Sequence, residues 1–160
     1  MNTQTPLYIA LSLLGGVLIP ITAALSGAMG RSLGNPNMAA FITVAGAFLL
    51  VLAYSLATGT TGGVSLAAIA KVPVLQLLAG LGIAFYIVSI TYVGPRFGVG
   101  NAIMLVVAAQ IASSAAIDQF GLFGAPQKPL DAMRAIGLVV MVIGVVIAQY
   151  AAAHAKPVSH

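Results

Sequence analysis

The chain of 160 residues contains no cysteine, no tryptophan and no glutamate, and its only acids are Asp118 and Asp131. Without cysteine there are no disulfides, no thiolate nucleophiles and no cysteine-based metal centres. Both histidines, His154 and His160, fall at the C-terminal end. The apolar body therefore cannot assemble a Ser/His arrangement or a metalloprotease helix, and it carries no nucleotide loop. An enzyme is not expected, nor is a cofactor or a metal. Positive charge is also sparse: six Lys and Arg residues give a net charge of +4, scattered singly rather than in the basic block that nucleic acid would require.

What fills the sequence instead is hydrocarbon. Hydrophobic residues make up 61% and charged residues 5%, where a soluble domain is about half apolar and one-quarter charged. Five apolar stretches, near 6–30, 37–57, 73–93, 100–120 and 131–153, are each long enough to cross a core of about 30 Å. The fold expected is an all-α integral membrane protein, a single membrane domain over 1–160 with five transmembrane helices, in a bacterial-type inner membrane. The leading stretch "MNTQTPLYIALSLLGG" lacks the basic leader and cleavage site of a signal peptide, and reads as a mature helix.

Five crossings put the termini on opposite faces. Lys71, Lys128 and Arg134 then share the N-terminal face, and Arg31, Arg96 and Lys156 the other. Orientation follows the excess of Lys and Arg in cytoplasmic loops, and three against three leaves no excess. Insertion in both orientations would give an antiparallel homodimer of ten helices, with the inverted two-fold symmetry that gene-fused transporters show as inverted repeats. A single fixed orientation is the alternative.

Along the chain, Pro20 predicts a bend in the first helix, with Gly16 nearby as a further kink or gating position. Small residues at 12, 16, 23, 27 and 30 form a stripe suited to close helix approach. Asn35 and Pro36 predict a turn and Asn37 a cap for the second helix. Residues 57–71 read as a soft loop, and Pro73 suits the first turn of the third helix. The segment "VGPRFGVGN" reads as a short link, and Asp131 as the N-cap of the fifth helix. Gly137, Gly144 and Ala148 make a small-residue edge suited to a dimer contact.

Polar groups inside the apolar runs are the site candidates. At about 1.5 Å per residue, Gln110 lies roughly 13 Å into the fourth helix and Asp118 about 25 Å in, close to the boundary. Asp118 is then expected to pair with Arg134 at headgroup level, with proton or cation coupling as the other reading. The Gln110 amide is deep and must be satisfied by helices, water or a ligand. Ser114 shares its helix face and Ser113 stands beside it. Measured from the N-terminal face, Pro20, Thr22, Thr43 and Tyr86 fall at roughly 20 to 24 Å and Gln110 at about 16 Å. Gln110, Tyr86, Ser114, Ser113, Thr22 and Thr43 are therefore the candidate substrate contacts, against the plainer role of helix-to-helix glue.

Two blocks carry a family resemblance. "GAMGRSLGNPNMAAFITVAGAFLL", together with "AQIASSAAIDQFGLFG" followed by "RAIGLVVMVIGVVIA", resembles the YdcZ-type five-helix family of the drug/metabolite transporter superfamily. The second block is the more specific, through the spacing of Gln110, Asp118 and Gly121. The resemblance implies a ten-helix transporter built from two five-helix halves, and it fixes no substrate. Related four-helix multidrug transporters use a buried glutamate in their first helix; here that helix offers Thr22 and Ser26. The expected function is transport of a small organic solute by alternating access in an antiparallel dimer, with the lipid bilayer, a second copy and the solute as partners. A dual-topology ion channel, or a non-transporting subunit paired with another five-helix chain, stands as the alternative.

Overall fold

A computed structural model describes residues 4–63 and 65–154. It is all-helical there, with five helices long and apolar enough to cross a membrane: α1 Thr5–Ser32, α2 Pro36–Ala57, α3 Val74–Phe97, α4 Val99–Phe120 and α5 Ala132–His154. A 3-10 turn, Thr60–Gly63, and one helical turn, Leu66–Ile69, fill most of the α2–α3 connection. Lys156 and His160 lie outside the described residues.

The chain divides into two compact units, Met1–Val99 and Gly100–His160. In the first, α1, α2 and α3 pack against one another pairwise. Lipid is as apolar as leucine, so helices in a bilayer are held by close packing and hydrogen bonds rather than by the hydrophobic effect. The core accordingly consists almost wholly of small residues: Ala23, Ser26, Gly27 and Gly30 of α1, Ala39 and Ala40 of α2, and Thr91 and Gly94 of α3 are buried, with Ile90 the one large side chain among them. The lower half of the predicted small stripe, positions 23, 27 and 30, faces this core, while Ser12 and Gly16 are exposed.

Two glycines measure the tightness. A Cβ on Gly27 would stand 3.1 Å from Cγ of Pro95, and one on Gly30 would stand 3.3 Å from Cα of Pro36. Residues with side chains would hold the helices apart there.

The helix ends differ from expectation in three places. Asn35, not Asn37, caps α2: its Oδ1 accepts from the Met38 N–H at 3.1 Å, and Pro36 takes the first helical position, where a missing N–H costs nothing. Pro73 is the N-cap of α3 and not part of its first turn. That helix does not stop at 93 but runs through Pro95 to Phe97. Pro95 withholds an N–H from the Thr91 carbonyl, yet the helix survives because the groups beyond it are served: Gly98 N–H bonds the Gly94 carbonyl at 3.0 Å, and Arg96 Nη1 donates to the Tyr92 carbonyl at 2.7 Å. Gly98, at φ 92, is the whole connection to α4. Similarly, α1 runs uninterrupted through Pro20.

The second unit is a helical hairpin tied at its two ends. At the turn, Arg134 Nη2 meets Asp118 Oδ2 at 3.2 Å; at the far end, Gln149 Nε2 donates to the Asn101 carbonyl at 2.9 Å. The ties are about 25 Å apart along α4 at 1.5 Å per residue, close to a hydrocarbon thickness. Between them lies a cavity of about 240 Å³, lined by Ser114, Arg134, Gly137 and Met141 among others. The turn folds back on α4: Lys128 N–H bonds the Asp118 carbonyl at 2.8 Å, Gln127 Nε2 the Gln119 carbonyl at 3.1 Å, and Gln119 Oε1 accepts from Leu130 N–H. The first two of these bonds serve backbone carbonyls that a helix end leaves without partners. Asp131 Oδ1 accepts from Arg134 N–H at 2.7 Å, which makes it the N-cap of α5.

Candidate functional site

In the first unit the buried polar groups converge on hydroxyls. Ser26 Oγ of α1 is 2.7 Å from Thr91 Oγ1 of α3 and 3.0 Å from Thr43 Oγ1 of α2. Thr43 Oγ1 is also 2.9 Å from the Ala39 carbonyl. A hydroxyl has one proton, so Thr43 can serve only one of its two neighbours fully. Thr43 therefore divides its proton between Ser26 and the Ala39 carbonyl, and one proton of the Ser26–Thr91 pair closes the link between α1 and α3. The cluster is about 9 Å from the end of α1 and about 10 Å from the start of α2 at 1.5 Å per residue. Of its three members only Thr43 stands among the predicted contacts. Ser26 and Thr91 were legible by another route: Ser26 falls within the stripe 23, 27, 30, and Thr91 sits one turn before the in-helix Pro95.

Tyr86 is half-buried on α3, and its hydroxyl oxygen is fully buried with no hydrogen-bond partner among the described residues. It lies about 16 Å from the end of α3, near mid-bilayer. Thr22 is half-buried one turn before Ser26, and Pro20 is half-buried as well. A Cβ on Gly16 would meet nothing within 4 Å. Tyr92 is exposed, with the Arg96 guanidinium 3.7 Å above its ring, a cation–π contact at the helix end.

On α4 the predicted polar face is exposed. Gln110, Ser113 and Ser114 are all accessible; Ser114 Oγ bonds its own helix at the Ile111 carbonyl, 2.9 Å away, whereas the Gln110 amide has no partner among the described residues. Asp118 and Arg134 form the ion pair described above, with the side chains 32% and 48% exposed. Such partial exposure allows water and headgroups to share the charges. On α5, Gly137 lines the hairpin cavity, a Cβ on Gly144 would meet nothing within 4 Å, and Ala148 is half-buried. No residue of α5 is buried, and α4 buries Ala102 alone. Among the described residues no group of His, Asp or Glu could hold a metal ion.

A family profile described as "Putative inner membrane exporter, YdcZ" matches residues 7–147, a range that reaches into all five helices. The chain belongs to the YdcZ family. As a YdcZ-family protein with five apolar spans it is a multi-pass protein of the inner membrane, in a family described as exporters and not as enzymes. No curated protein and no solved structure matches it.

Proposed function

We propose that this YdcZ-family chain transports a small organic solute by alternating access, as an antiparallel homodimer of ten helices. The reading is carried by Gln110, a primary amide near mid-bilayer on an exposed helix face with no partner among the described residues. An amide in hydrocarbon needs hydrogen bonds from a neighbouring helix, water or a ligand. A second copy covering α4 and α5, with a polar pathway between, would supply them. The unpartnered hydroxyl of Tyr86 fits the same pathway, and Ser113, Ser114, Thr22 and Thr43 are its smaller polar contributors. Gly144 and Ala148, with Gly137, give α5 an edge on which a second copy can approach closely.

The even division of basic residues between the two faces supports insertion in both orientations. An antiparallel pair then exchanges its inward-open and outward-open forms by exchanging the roles of its halves. Pro20 and Gly16 place a deformable segment of α1 where such an exchange needs one. Asp118, already paired with Arg134, acts in this reading as a boundary anchor and not as a proton carrier.

Two measurements test the proposal. Single cysteines placed at either end of the cysteine-free chain, labelled in intact cells with an impermeant maleimide, should each react in part; labelling confined to one end would rule out the antiparallel homodimer. Solutes released by cells expressing wild type or the double variant Gln110→Ala, Tyr86→Phe can be compared without prior choice of substrate. The variant should lose the wild-type release while remaining dimeric, and unchanged release would remove these two residues from the pathway.

A further inference from the structure

The last turns of α1 and α3 line one cavity of about 340 Å³, and each contributes an arginine to its lining, Arg31 and Arg96. Its other lining residues are three glycines, two prolines and Thr91. Two cationic side chains at the edge of one cavity attract a negative charge to it. The unit that builds this cavity cannot supply one: residues 1–99 contain neither Asp nor Glu. Both acids of the chain are engaged locally in the other unit, Asp118 with Arg134 and Asp131 as the cap of α5.

The arginines also have capacity to spare. A guanidinium offers five N–H donors in a planar fork. Arg96 spends one on the Tyr92 carbonyl and rests on the Tyr92 ring, an arrangement that fixes its position. Arg31 is exposed, and its guanidinium has no hydrogen bond or ion pair among the described residues. Pro36, the first residue of the 22-residue helix α2, lines the same cavity, so the positive end of that helix dipole adds to the field. The volume falls in the range of small-ligand sites, and an arginine fork is the side chain best suited to take two phosphate oxygens at once.

We infer that this cavity binds a phosphate group between Arg31 and Arg96, carried either by an anionic lipid headgroup or by a soluble phosphate ester. Both sources present the same oxyanion, and the site stands at headgroup level, at the ends of two membrane helices. The inference does not depend on the direction or the substrate of transport.

The test uses the full chain in a non-ionic detergent, followed by thermal unfolding with two probes: short-chain phosphatidylglycerol and glycerol 3-phosphate. Stabilisation by the lipid alone assigns the site to a headgroup; stabilisation by glycerol 3-phosphate assigns it to a soluble ester. Arg31→Gln should weaken the effective probe about tenfold or more, the loss of a charge-assisted bond, and Arg96→Lys should weaken it less than Arg96→Gln. Lys71→Gln, which lowers the net charge equally outside the cavity lining, should bind as wild type. No stabilisation of the wild-type chain by either probe would overturn the inference, and so would equal weakening by Lys71→Gln and Arg31→Gln.

Discussion

Removing the Ser26 hydroxyl should cost the first unit more than removing that of Thr91, because Ser26 is the joint of the cluster. Ser26 Oγ has hydroxyl neighbours at 2.7 and 3.0 Å on two different helices, whereas Thr91 Oγ1 reaches one. Hydrogen bonds between membrane helices contribute about 0.6 kcal/mol on average and up to about 1.7. Thr91→Val keeps the shape and loses one bond, so roughly 0.6–1.7 kcal/mol is expected. Ser26→Ala loses two, and roughly 1–3 kcal/mol is expected. The double variant cannot lose the shared bond twice; its cost should fall short of the sum by about 0.5–1.5 kcal/mol. Reversible unfolding in mixed micelles of rising dodecyl sulfate fraction, followed by helical circular dichroism, gives all three values. Additivity within about 0.3 kcal/mol, or a Ser26→Ala no costlier than Thr91→Val, would refute the cluster as drawn.

In the same assay, Gly27→Ala should destabilise by about 1–3 kcal/mol, because its Cβ would press a proline ring 3.1 Å away. Gly16→Ala, with nothing within 4 Å of its Cβ, should not destabilise this chain. Asn35→Ala removes the cap on the Met38 N–H and should cost about 1 kcal/mol, seen as faster hydrogen exchange in the first turn of α2. Asp118→Asn should cost only about 0.2–1 kcal/mol, since both partners of its ion pair are partly exposed; abolished solute release with the fold intact would make Asp118 a coupling residue after all.

The five spans were legible because each is an unbroken apolar run, a signal set by the bilayer and not by neighbouring helices. Their ends were less so. Asn35 and Asn37 are equally good caps by residue type, and only the placement of Pro36 between them decides for Asn35. Pro95 misled in the same way: proline predicts a stop, and the side chain of Arg96 that allows α3 to continue acts through geometry that spacing does not reveal. For the polar groups, depth alone put Thr43, Tyr86 and Gln110 at one level. Depth says nothing about rotation around the helix axis, and rotation is what joins Thr43 to Ser26 and Thr91 while leaving Gln110 on an open face. The Arg31–Arg96 cavity escaped for a related reason: as single charges at helix ends, the two arginines look like topology markers.

The packed unit of residues 1–99 has no carboxylate and no imidazole, which makes it indifferent to acid. It has none of the side chains, Asp, Glu or His, that ordinarily take up a proton between neutral and acid pH. Its internal electrostatics are therefore the same in a neutral cytoplasm and in an acidified medium. Any response of this protein to a proton gradient has to enter through Asp118, Asp131, His154 or His160, all in the second half of the chain, or through whatever anion the first half holds.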